Sequence, residues 1–174
     1  HPGMDQAAAF LETHRYAALM GGSMVFTKME GTTVNTKEKV AYSAISSIRD
    51  SMVKGGKGWY ETSGVALNKA VEAGGILAHT VSGGQKDSGG EAIASEWVPF
   101  ETRFVLTGED ITPDALGNTA NPDKIGNPDN IKFSERLRTL FIGEDSGMHV
   151  NNFLWAYNVD TKQLSRIMSV PAGA

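Results

Sequence analysis

Residues 131–170 read IKFSERLRTLFIGEDSGMHVNNFLWAYNVDTKQLSRIMSV, and this stretch decides the fold. It holds four short apolar runs, Ile131–Phe133, Thr139–Gly143, Phe153–Val159 and Leu164–Val170. Turn chemistry such as Asp160-Thr-Lys162 separates them. Successive side chains of a strand point to opposite faces, so short alternating runs bounded by turn residues predict strands. Even spacing of such strands predicts an antiparallel meander, the unit of a sandwich, a barrel or a propeller blade.

Upstream, residues 107–130 are dominated by Gly, Asn, Pro and Asp and read as one long irregular loop. Before it, Gly75–Val81 and Phe100–Leu106 read as strands. Residues 38–47 fit both periods, and the reading adopted is a strand followed by a short helical turn. Ser23–Met29 reads as a strand that ends at Glu30-Gly31. The segment 1–22 is a helical lead-in: Asp5 is placed to cap an Ala- and Leu-rich run from Gln6 to Met20, which Gly21 and Gly22 stop. No repeat with a clean long period is visible. The one local echo is Asn121-Pro-Asp123 followed by Asn127-Pro-Asp129, and that tripeptide forms turns by itself. The expected fold is mainly β, with an N-terminal helix and long loops, in a single segment 1–174.

The chain has 174 residues, 40% hydrophobic and 21% charged, which is a globular composition. A net charge of -4 argues against a dedicated nucleic-acid or anionic-membrane binder, because neither gets the positive field it needs. No apolar run approaches the roughly 18 residues of a membrane span. The sequence contains no cysteine, which excludes disulfides, thiolate nucleophiles and Cys-ligated metals within these residues.

Two places carry candidate chemistry. Asp129 and Asn130 precede one predicted strand, and Glu144 and Asp145 follow its hairpin partner. In an antiparallel pair the end of one strand lies beside the start of the other, so these carboxylates converge at one end. With the Asn130 amide they would make a hard-oxygen cage suited to Ca²⁺. The bland alternative is two ordinary turns. The second place is Lys28-Met-Glu30, where alternation puts a cation and a carboxylate on one strand face. A surface ion pair is its commoner meaning. His14 reads as solvent-facing or packed in a helix, and His79 as a hydrogen-bonded imidazole in a strand. His149 is the one histidine near candidate chemistry. Trp59, Trp97 and Trp155 read as core. Gly83–Gly90 lacks the Gly-Lys-Ser/Thr of a phosphate loop and is set aside.

The segments Phe26-Thr-Lys-Met-Glu-Gly31, Lys39-Val-Ala-Tyr42, Gly126-Asn-Pro-Asp-Asn-Ile131, Leu140-Phe-Ile-Gly-Glu-Asp145 and Phe153-Leu-Trp-Ala-Tyr157, in this order and spacing, resemble the PhoX-type bacterial alkaline phosphatases. The resemblance runs from about residue 5 to residue 174 and is weakest in the glycine-rich middle. It implies a β-propeller enzyme that hydrolyses phosphate monoesters with calcium, and with iron held elsewhere in the full-length enzyme. It implies metal ligation by Glu30, Asp129 and Asp145, with Glu144 as a substitute for Asp145. A phosphate contact falls on Lys28 where the family has arginine, which loses the bidentate fork but keeps the point charge. The chain then reads as the C-terminal portion of a larger propeller, with antiparallel blades whose strand edges a missing segment or self-association would cover. A periplasmic or secreted location is a further family expectation. Two other function classes stay open: a calcium-dependent propeller lactonase or esterase, and a non-catalytic calcium-stabilised binding module.

Overall fold

The structure is a computed structural model that describes residues 4–87 and 89–171. The chain divides into two compact units: residues 1–27 with 48–70, and residues 28–47 with 71–174. No helix among the described residues is long and apolar enough to cross a membrane.

The first unit is helical and irregular. Helix α1 spans Met4–Leu11 and α2 spans Thr13–Leu19. The expected single helix is therefore interrupted at Glu12, which leaves helical geometry at φ -133 and ψ 40. Next to the break, the Thr13 hydroxyl donates to the Ala9 carbonyl at 2.6 Å, the local back-bonding that weakens a helix interior. The predicted stop holds. Gly21 turns left-handed at φ 91, and Gly22 N donates to the Ala17 carbonyl at 2.8 Å. The capping role given to Asp5 lies outside the described side chains. His14 is exposed. In the remainder of this unit, Trp59 is half-buried and donates from Nε1 to the Val65 carbonyl at 2.5 Å.

The second unit is mainly β and consists of two antiparallel four-stranded sheets. Strands β1 (Met29–Asn35), β2 (Val40–Ile45), β3 (Gly75–Ser82) and β4 (Val98–Thr107) form one meander. Strands β5 (Pro128–Ser134), β6 (Thr139–Glu144), β7 (Asn151–Asn158) and β8 (Leu164–Pro171) form the other. All four strands read from 131–170 are present in the predicted order, and residues 108–127 form the expected long connection. One strand is displaced. Residues 23–28 are irregular, and β1 begins at Met29 instead of ending there. The β-branched run Thr32-Thr-Val34, closed by the Thr36–Lys39 turn, is what pairs with β2. Apolar spacing in 24–29 had no sheet neighbour to join.

The absence of a sequence repeat conceals a structural one. In the first hairpin Met29 faces Ile45, a bulge follows, and pairing resumes at Thr32 with Ser43. In the second, Pro128 faces Glu144, a bulge follows, and pairing resumes at Ile131 with Ile142. Each hairpin is entered through a left-handed residue, Lys28 at φ 48 and Asn127 at φ 42. Each is turned through another, Lys39 and Arg138, both at φ 54. Position for position, Glu30 corresponds to Asp129 and Ile45 to Glu144. No residue is identical between the equivalent stretches 28–46 and 127–145, which hides the repeat from sequence self-comparison even though pairs such as Glu30/Asp129, Lys39/Arg138 and Tyr42/Phe141 keep their chemistry.

The sheets pack face to face. Tyr42, Ala44, Ile76 and Ala78 of the first share one core with Phe133, Leu140, Ile142 and Trp155 of the second. The Tyr42 and Phe133 rings lie 6.0 Å apart. Fully burying one such aliphatic side chain contributes about 1.5–3 kcal/mol, so this shared layer fixes the sheets together. At the front, β1 and β5 approach until their backbones touch. A Cβ at Gly31 would lie 2.6 Å from the Asp129 carbonyl oxygen, so this position admits only glycine without a shift. Phe133 N donates to the Thr33 hydroxyl at 3.1 Å across the same junction.

Candidate metal and phosphate site

The close approach of β1 and β5 brings Glu30 and Asp129 to one rim of the second unit. The β5–β6 pairing adds Asp145, one residue past the Pro128–Glu144 pair. The end-of-hairpin convergence expected for the three carboxylates is observed for Asp129 and Asp145 and not for the Glu144 side chain. The presence of Glu30 and Lys28 at the same place is a tertiary result.

Lys28 and Glu30 are paired, Nζ to Oε1, at 3.3 Å. They are not alternate residues of one strand as expected, since Lys28 lies outside β1 in the left-handed region. That conformation is uncommon for a residue with a Cβ, and such outliers concentrate at functional sites. The Asp129 carboxyl is pushed above the usual carboxylate range. Partial burial is the largest cause, and the negative charges of Glu30 and then Asp145 add to it. Lys28 opposes the rise. The rim is therefore a cluster of like charges with a single cation set against them. No protein group hydrogen-bonds the Asp129 or Asp145 carboxylate among the described residues.

Glu144 goes elsewhere. Its side chain is fully buried, and both oxygens accept two bonds each. Oε1 accepts from Gly126 N and Trp155 Nε1, each at 2.7 Å. Oε2 meets His149 Nδ1 at 2.9 Å and accepts from Phe153 N at 3.0 Å. A carboxylate with every lone-pair direction filled is a structural anchor, and it turns away from the rim that Asp145 faces. His149 shares that interior. It is 4% exposed, and Nε2 lies 3.3 Å from the Asn121 carbonyl. A Cβ at Gly126 would lie 2.7 Å from the imidazole, so the glycine makes room for it.

The other sequence candidates are placed as follows. His79 is half-buried, with Nδ1 at 2.9 Å from the Thr102 hydroxyl and Nε2 at 3.2 Å from the Ser43 hydroxyl. Burial lowers its pKa. Trp155 is core at 3% exposure, whereas Trp97 is 49% exposed and lies under Lys39. Sequence reasoning passed over Arg166. It stacks 4.6 Å over Phe153, donates to the Pro122 carbonyl at 3.0 Å, and lines a groove of about 580 Å³ with Leu116, Asp123 and Val150. Its signal, one arginine in an alternating strand, is too common to single out.

The donor chemistry of Glu30, Asp129 and Asp145 suits a hard, oxygen-seeking cation such as Ca²⁺. A cation would offset the burial of Asp129 and the charges of Glu30 and Asp145, which together raise it. As they stand, however, no three His, Cys, Asp or Glu side chains among the described residues are grouped closely enough to ligate one ion directly. The rim is acidic and only partly compensated by Lys28, without being a closed cage. No protein-family model, no curated protein and no solved structure matches this chain.

Proposed function

We propose that the rim formed by Lys28, Glu30, Asp129 and Asp145 is part of a calcium-dependent site that hydrolyses phosphate monoesters. The two sheets are then two blades of a propeller belonging to a larger, exported enzyme. The observation that carries this reading is the meeting of Glu30, Asp129 and Asp145 at one rim, where the two other carboxylates add to the effect of burial on Asp129 and one lysine opposes them. Folded chains avoid placing like charges together without compensation, and a bound cation is the simplest compensation for a half-buried carboxylate with two more exposed ones beside it.

When bound, calcium would neutralise negative charge that develops on phosphate oxygens in the transition state. Glu30, Asp129 and Asp145 would attract it and ligate it in part through water, since their present spacing does not let all three bind one ion directly. Lys28 would release Glu30 to the cation and offer its ammonium to a non-bridging phosphate oxygen as a point charge. Glu144 takes no part in ligation and fixes the loop that carries Asp145. Stacked meanders with adjacent front strands support the blade reading. β1 and β5 face each other, and the outer edge strands β4 and β8 call for cover by further sheet or by self-association.

Calcium titration calorimetry on the chain and on Asp129→Asn tests the site. Saturable binding is expected in the parent chain and should weaken by about tenfold or more in the variant. No calcium binding in the parent, or identical affinities, overturns the reading. Lys28→Met then separates the substrate classes. It should abolish calcium-dependent phosphate binding without weakening calcium affinity, because it removes a cation that competes for Glu30, whereas phosphate binding indifferent to this change favours an ester substrate.

A further inference from the structure

We infer that Asn127 is the positioning residue of the acidic rim, a clamp that sets the distance between the Glu30 side and the Asp145 side. The inference rests on the cation reading above. Asn127 is 9% exposed, and its amide group is spent entirely within the protein. Nδ2 donates to the Ser46 carbonyl at 2.9 Å and to the Glu72 carbonyl at 2.7 Å. Oδ1 accepts from the Ser146 hydroxyl at 2.8 Å. Its backbone N donates to the Ala73 carbonyl at 2.9 Å, and its carbonyl accepts from Asp145 N at 3.2 Å.

The connectivity gives these bonds meaning. Ser46 N donates to the Lys28 carbonyl at 2.8 Å, so the residue whose carbonyl Asn127 grips is tied through its own N–H to the residue that pairs with Glu30. Ser146 follows Asp145, and its hydroxyl also accepts from Met148 N at 3.1 Å, which shapes the loop after β6. Asp129 lies two residues beyond Asn127. A single carboxamide thus joins the backbone beside Lys28 and Glu30, the backbone beside Asp145, and the strand carrying Asp129. The two hairpins explain why this falls to one residue. Lys28 occupies the equivalent entry position in the first hairpin and points its side chain to Glu30 at the rim, while Asn127 points inward. The same backbone entry supplies a charge in one sheet and a clamp in the other.

Geometry of this kind matters to a hard cation, because affinity depends on carboxylates being held at the right separation before binding. Asn127→Gly tests it, since glycine accepts the left-handed φ and removes only the carboxamide. Asn127→Asp is sharper, since it keeps the shape and sets an acceptor against two carbonyl oxygens. Amide hydrogen exchange at Ser46 and Asp145 should rise about tenfold or more in Asn127→Gly, with Tyr42 and Phe141 unchanged. Calcium affinity should fall about tenfold or more, and further in Asn127→Asp. Leu140→Val, a core change at the far end of the sheets, controls for lost stability and should leave affinity at the parental value. Unchanged exchange at Ser46 and Asp145 overturns the clamp. Raised exchange with unchanged affinity, or an equal loss in Leu140→Val, overturns its positioning role. If the parent chain binds no calcium, the cation reading fails by itself, and exchange alone decides whether Asn127 couples the two loops.

Discussion

The two ends of the paired sheets hold similar numbers of acidic side chains and treat them in opposite ways. At the turn end, Arg138 is ion-paired to Glu38, to Glu135 at 3.5 Å and to Asp160 at 2.9 Å. The Asp160 carboxyl is held below the ordinary range, first by its hydrogen bond from Arg138. At the rim end, Asp129 is pushed up by partial burial and by Glu30 and Asp145, and Lys28 alone opposes them. Acidic residues at the turn end complete a network, and those at the rim leave one incomplete. The difference teaches where to look for a ligand: an acidic cluster is informative when its own protein fails to compensate it.

Glu144 sharpens the comparison, because it belongs to the rim end in sequence and to the compensated class in chemistry. Glu144→Gln should give the largest effect, a destabilisation of about 2–4 kcal/mol in chemical denaturation, because an amide NH₂ would face two of the four donors. A loss within experimental error would mean that the buried network is not a structural anchor. Asp129→Asn should do the reverse in the metal-free chain. A folded-state pKa above the ordinary value near 3.8 marks stability that is present below that value and lost as pH rises through the folded pKa. Asn removes that loss, so the variant should melt higher than the parent at neutral pH and converge with it below about pH 4. Asp160→Asn should be the smallest change and opposite in sign. Its lowered pKa marks stability present above the ordinary value and lost as pH falls through the folded pKa. The variant should melt slightly lower than the parent at neutral pH, with the gap closing in acid. Thermal melts of all three chains across pH decide the matter. Equal signs for Asp129→Asn and Asp160→Asn would break the contrast between the two ends.

Much of this architecture was legible in the sequence because it depends on local rules. The strands of 131–170 follow from alternation and turn residues, and the helix stop from Gly21-Gly22. The convergence of Asp129 with Asp145 follows from hairpin geometry. The start of β1 was misread because the apolar residues of 24–29 alternate like a strand, whereas only a pairing partner makes one. Glu144 and Asp145 stand side by side in the sequence, and nothing local separates their roles. Alternation along β6 turns Glu144 inward with Leu140 and Ile142, and leaves Asp145, just past the strand, exposed at the rim.

The sequence by itself determined the mainly β character, the hairpins and the presence of carboxylates at one hairpin end, since periodicity and turn chemistry act over a few residues. Only the tertiary structure decided that Glu30 and Lys28 meet Asp129 and Asp145, that Glu144 is buried, and that Asn127 holds the parts together. Those outcomes depend on two sheets stacking until Gly31 touches the backbone of β5, a contact between residues far apart in the chain that no local pattern encodes.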